Sequence, residues 1–160
     1  MSSDDAIKPK HVIRDSKAFQ KGREALGEII LNGMQTTGGT DVDWLIEHRG
    51  GFVILEFKEF HNDIIVIPVG QMIAFEKLHK GLCVSTKCYF LFMGSEENTD
   101  FKNPEFPLWY FEMEKWHNGT IPHKKSMYGK AYLVDKESMQ QTNVGNYRKM
   151  IESFWKELEK

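Results

Sequence analysis

Three side chains occupy positions from which they could act together: Asp43, Glu56 and Lys58. Glu56 and Lys58 are two apart in the run Ile54-Leu55-Glu56-Phe57-Lys58-Glu59, and residues two apart on a β-strand project from the same face. Asp43 precedes Glu56 by thirteen positions, with Gly50-Gly51 between them, so a tight hairpin brings it toward Glu56 on the neighbouring strand. Two carboxylates and one ammonium then meet at one place. Phosphodiester hydrolysis uses that combination, because paired carboxylates hold a hard divalent cation while leaving positions for water and a phosphate oxygen. A lysine beside the metal orients the water and offsets charge at five-coordinate phosphorus.

Glu and Lys are common, and the plain alternative is a solvated strand face with Asp43 as a loop cap. The surroundings favour chemistry. An apolar run, Phe52-Val53-Ile54-Leu55, leads directly into Glu56, and charge buried there without a partner is costly.

The elements around these residues follow from periodicity and turn residues. A helix begins at Asp15 or Ser16, either a suitable N-cap, and runs to about Asn32, with Phe19, Leu26 and Ile30 on one face and Gly33 just past its end. Residues 36–40 read as a loop, and 42–47 and 52–57 as a hairpin covered on both faces. An extended segment at 64–69 leads to a second helix from Gln71 to about Lys80. Residues 84–93 read as a central strand, while 109–113 and 127–134 add edge strands. Between those edge strands lies a loop carrying His123, Lys124 and Lys125. Val144, Tyr147, Ile151, Phe154, Trp155 and Leu158 recur at three and four, the stripe of a C-terminal amphipathic helix. The order predicts an α/β fold, a mixed β-sheet flanked by helices, with residues 1–14 as a flexible basic arm and 15–160 as a single domain.

The 160 residues suit one domain, and 41% apolar with 12% aromatic residues is ample core material. Nothing approaches the roughly 18 apolar residues that span a bilayer, and the first residues lack a secretory pattern, so a cytoplasmic protein without a membrane partner is expected. Cys83 and Cys88 read as reduced thiols in a buried strand region. The six histidines show no zinc spacing and read as surface residues, and the four tryptophans read as core or interface anchors. GxxxxGK[ST] and GxSxG are both missing, which disfavours a nucleotide hydrolase and an α/β-hydrolase. A net charge of −2 argues against a protein that coats nucleic acid. Its distribution is uneven: Lys8, Lys10, Arg14, Lys17, Lys21 and Arg23 face one acid, Asp15, and with Lys124 and Lys125 they form the candidate DNA contacts.

Gly39-Thr40-Asp41-Val42-Asp43-Trp44-Leu45-Ile46 followed by Val53-Ile54-Leu55-Glu56-Phe57-Lys58 resembles the PD-(D/E)xK nuclease superfamily. The aspartate-to-ExK spacing is similar to that of archaeal-type Holliday-junction resolvases and RecB-like nuclease domains, and the resemblance covers roughly residues 16–93. The chain departs from the family pattern at the residue before the aspartate, where Val42 stands in place of proline. The resemblance implies a restriction-endonuclease-like fold and Mg²⁺, with Mn²⁺ as a substitute, held by Asp43, Glu56 and the Phe57 carbonyl, with Lys58 positioning the attacking water. Asp41 competes with Asp43 but fits the spacing less well. The family's helix glutamate would be Glu24, with Glu28 close behind, and its site-supporting glutamine would be Gln71. The implied activity is cleavage of branched DNA by a homodimer whose interface is the aromatic stripe of the last helix. A RecB-like exonuclease, a restriction-type endonuclease, and a DNA-binding module with an inactive nuclease fold are the alternatives.

Overall fold

A two-residue turn, Arg49-Gly50, has positive φ at both residues, 50° and 82°. Left-handed conformation at both central positions gives the turn whose twist matches two antiparallel strands. It joins β1 (Trp44–His48) to β2 (Gly51–Glu59) in the register Trp44↔Leu55 through His48↔Gly51.

In this computed structural model residues 16–34 and 40–160 are described. The chain falls into two units, one of which contains α1 (Ser16–Met34) and the other of which spans Thr40–Lys160. α1 continues through Gly33 instead of stopping before it. Glycine lowers helix propensity without forbidding the conformation.

In the second unit the main sheet has the order β1-β2-β4-β5-β8, with β4 (Cys88–Ser95), β5 (Pro107–Glu112) and β8 (Gln140–Asn143). β2 and β4 are parallel and the other pairs antiparallel, so the sheet is mixed. The parallel pair needs a crossover, supplied by β3 (Ile64–Pro68) and α2 (Val69–Ser85). β3 leaves the main sheet and joins β7 (Ala131–Asp135) and the short β6 (Lys124–Lys125) in a second one, order β3-β7-β6. The Lys124-Lys125 loop of the sequence reading is thus an edge strand, and of the 127–134 segment only the part from Ala131 is strand, at the centre of a separate sheet. Segment 109–113 is also not an edge: β5 lies between β4 and β8, and Met113 opens the short helix α3 (Met113–His117). The run 84–93 splits as well. Val84 is 89% exposed on the last turn of α2, and β4 begins only at Cys88.

Each face of the main sheet has its own core. On one, Ile54, Phe90, Phe92 and Phe111 pack with Met72 and Phe75 of α2 and with Ile65, Ile67 and Val134 of the second sheet. On the other, Leu91, Leu108 and Tyr110 meet Val144 and Tyr147 of α4 (Val144–Leu158). Asn143 caps that helix by accepting from Asn146 N–H. The apolar stripe of α4 packs in part on its own sheet, with Phe154 stacked on Tyr89 and Trp155, still 38% exposed, on His48 at centroid distances of 4.1 and 3.7 Å. β1 is largely exposed, contrary to the expectation of two covered faces, because it is the sheet edge. Lys136 clasps the second sheet to the first: its Nζ binds Asp63 and Glu96 and lies 4.2 Å from the Trp109 ring centroid. No helix among the described residues is long and apolar enough to cross a membrane.

Several single-residue expectations also change. Cys83 is on α2 and exposed, and only Cys88 is in a strand; both are free thiols. His79 is buried and not a surface residue. Trp109 and Trp116 are core anchors, whereas Trp44 is 62% exposed.

Gly94 of β4 admits no side chain. A Cβ there would stand 2.5 Å from Phe60 Cζ and 3.2 Å from Met139 Cε, and the Phe60 ring is set edge-on against Trp109 at 5.5 Å. Gly94→Ala is expected to lower stability by about 1–3 kcal/mol, read as a lower urea midpoint at unchanged slope. A midpoint equal to that of the native chain would show that Phe60 yields freely.

Candidate active site

Asp43 stands one residue before β1, and continuing the β1–β2 register places it opposite Glu56. The hydrogen bonds agree with that placement. Asp43 Oδ2 accepts from the Phe57 N–H at 2.8 Å, and the Asp43 N–H donates to Glu56 Oε2 at 3.4 Å. In an extended strand a residue's N–H and C=O point to the same side, so the Phe57 carbonyl also faces the Asp43 side, just past the last β1 pair.

Glu56 and Lys58 share a face of β2, as their spacing requires. Lys58 Nζ lies 2.9 Å from Glu56 Oε1. Gln71, in the first turn of α2, closes the group: Lys58 Nζ donates to its Oε1 at 2.9 Å, and its Nε2 donates to Glu56 Oε1 at 3.0 Å. An ammonium only donates and a carboxylate only accepts, so this amide orientation is the one that satisfies both. α2 can present Gln71 here because Phe75, four residues on and therefore on the same helix face, is buried against Phe90 and Phe92 of the sheet.

Glu56 is 2% exposed. Burial pushes its carboxyl above the ordinary value of 4.5; the Lys58 hydrogen bond and charge pull it down, while the Asp43 charge adds to the rise. The fully buried neighbours Ile54 and Phe92 each contribute roughly 1.5–3 kcal/mol by leaving water, which works against the cost of the charged group beside them. Among the described residues no group of three or more His, Cys, Asp or Glu side chains is placed to hold a metal ion. A cation here would have two carboxylates and the Phe57 carbonyl as protein donors. That all-oxygen set suits a hard cation that keeps several waters.

Asp43, Glu56, Phe57, Lys58 and Gln71 are thus together. The remaining candidates are carried by α1 and β6 or fall outside the described residues. Glu24 and Glu28 are exposed on α1, where Gln20 Nε2 donates to Glu24 Oε1 at 3.0 Å. Lys17 and Lys21 are exposed on the same helix, which also carries Arg23, while Lys8, Lys10 and Arg14 fall outside the described residues. Lys124 and Lys125 are exposed on β6, the latter with Nζ 5.8 Å from the Tyr132 ring centroid. Sequence reasoning missed the two backbone N–H groups that tie Asp43 to β2, because a backbone donor carries no residue signature.

Since burial raises Glu56, its charged form costs stability above the raised value, and the cost disappears as pH falls through that value toward 4.5. Glu56→Gln removes the charge and keeps the shape. It is expected to melt above the native chain near neutral pH, with the advantage shrinking under acid; thermal scans across pH check this, and a variant less stable at every pH would contradict it. No protein-family model matches the chain and no curated protein matches it, so the chemistry of the site follows from its geometry alone.

Proposed function

We propose that this chain is a Mg²⁺-dependent deoxyribonuclease with a restriction-endonuclease-like core, hydrolysing phosphodiester bonds in branched DNA in the manner of Holliday-junction resolvases. One observation carries the reading: a buried carboxylate on β2 accepts the backbone N–H of Asp43, whose own carboxylate accepts the next β2 amide, and meets an ammonium from its own strand. Structural ion pairs are rarely built this way, because a buried pair offers little net stability over apolar packing.

In this reading Asp43, Glu56 and the Phe57 carbonyl hold Mg²⁺, with Mn²⁺ as a substitute. When bound, the cation activates a water and offsets phosphate charge. Lys58 is aimed by the Gln71 amide and by Glu56, so its ammonium is fixed before substrate arrives, which is the condition for lowering the barrier at charged phosphorus. Gln71 is a positioning residue. Glu24, with Glu28 as its alternative, is the third acid of the proposal. Lys124, Lys125, Lys17, Lys21, Arg23 and the basic arm with Lys8, Lys10 and Arg14 grip phosphates. Two opposed cuts across a junction call for two copies of the chain, which sedimentation of the complex would count.

The test incubates the protein with four-way junctions, linear duplex and single strands, with Mg²⁺ or with EDTA. Paired symmetric nicks on the junction, dependent on Mg²⁺, are expected. Progressive shortening would replace this reading with an exonuclease, and binding without cutting would replace it with a DNA-binding module. Glu56→Ala and Lys58→Ala are each expected to abolish cleavage with affinity held within about threefold, because phosphate grip and metal chemistry use different residues. Undiminished cleavage by either variant would remove the assignment.

A further inference from the structure

On the far half of α2, two histidines join three elements. His79 is 7% exposed, and both its ring nitrogens are engaged: Nδ1 lies 3.0 Å from His117 Nε2 on α3, and Nε2 lies 3.2 Å from the Cys88 carbonyl oxygen on β4. The two rings stack at 5.2 Å. Their partners dictate the tautomers. Cys83 Sγ also lies 3.4 Å from His79 Nε2, but the nearer carbonyl only accepts, so His79 Nε2 carries a hydrogen and the thiol sulfur is its second acceptor. Neutral His79 then has its lone pair at Nδ1, and His117 Nε2 donates into it. The His117 Nδ1 atom is left with a lone pair, buried and without a hydrogen-bond partner, 3.8 Å from Glu76 Oε1. That carboxylate oxygen already accepts the Trp116 indole N–H at 3.1 Å.

Neither ring has a good place for a second proton. On His79 it would sit at Nδ1 and confront the His117 N–H. On His117 it would sit at the buried Nδ1, within ion-pair range of Glu76 Oε1 at 3.8 Å but beyond hydrogen-bond distance, and that oxygen is already engaged by the Trp116 indole. We propose that the His79–His117 pair is an acid-released latch, which fastens α2 to α3 and β4 while both rings are neutral and lets go when the pair takes up a proton.

The groups facing the pair are Glu76, Lys80 and the Cys83 thiol from α2, the Cys88 carbonyl from β4, with the Cys88 thiol beside that of Cys83, and Glu114 from α3. Burial acts first and holds both rings below the ordinary imidazole value of 6.5; Lys80 adds to this at His117, while Glu76 opposes it there and Glu114 opposes it at His79. The thiols supply no negative charge, because burial pushes Cys83 up and Cys88 up to about 12. A histidine held below its unfolded value stabilises the fold above that value, and the contribution is lost as pH falls through the folded one. Glu56 acts with the opposite sign, so the two effects are separable.

The test compares urea unfolding of the native chain and His117→Gln, whose amide still donates to His79 but does not titrate. Between about pH 7.5 and about pH 5 the unfolding constant of the native chain is expected to rise at least about threefold further than that of the variant. Imidazole nitrogen shifts of the native chain near neutral pH are expected to show both rings neutral with hydrogen on Nε2. Equal pH dependences, or a charged ring at neutral pH, would overturn the latch. Should His117→Gln not fold, hydrogen-exchange protection of α3 decides in the native chain: protection that falls with acid supports the latch, and protection that stays constant overturns it.

Discussion

The second unit of this protein is arranged around one costly group, a carboxylate that water does not reach. Glu56 sits on an interior strand between fully buried apolar neighbours, where an ionised side chain is tolerated only with donors close at hand. The donors come from three directions. Lys58 arrives by strand alternation, the Asp43 backbone by the hairpin register, and Gln71 by the crossover helix. A slip of one residue in the β1–β2 pairing would turn every side chain of β1 to the wrong face and carry Asp43 away from Glu56. The positive-φ turn at Arg49-Gly50 prevents that slip, which makes a surface turn part of the chemistry of a buried site.

How much of this could be read from the residues depends on the range of the signal. Strand alternation is local, so the shared face of Glu56 and Lys58 was legible, as was the hairpin once Gly50 was seen. The helix that presents Gln71 was legible as a segment after Gly70, though α2 begins at Val69 and runs five residues past Lys80. The partition of strands into two sheets was not. β3, β7 and β6 pair over separations set by the whole chain, and nothing in Ile64-Ile65-Val66-Ile67 says which sheet it will join. Boundaries failed where propensity and packing disagree: Val84 is a good strand former, yet it lies on a helix whose other face is already held by Phe75 and His79. The histidines failed for a similar reason. His79 looks like any scattered surface histidine until α3 returns to supply His117 as its partner.

The two core clusters divide the labour of the sheet. One side carries the crossover helix and the second sheet, and so bears both the carboxylate group and the histidine pair. The other is closed by α4, whose aromatic residues serve as a lid on β4 and β5. The candidate chemistry and the histidine pair therefore share a helix, with Gln71 in its first turn and His79 two turns further on, so a change in how α2 is seated bears on both.

β1 ends the main sheet, and among the described residues it pairs only with β2. Its outer rim of amides and carbonyls is a template on which another extended segment can dock, and Trp44 and Leu45, both solvent-facing, make that rim adhesive. The strand is five residues long and includes the charged Glu47, features that discourage open-ended stacking. A visiting strand would lie within one residue of Asp43, so any chain that lengthened the sheet there would also crowd the entrance to the carboxylates, and solubility and access to the site would be lost together.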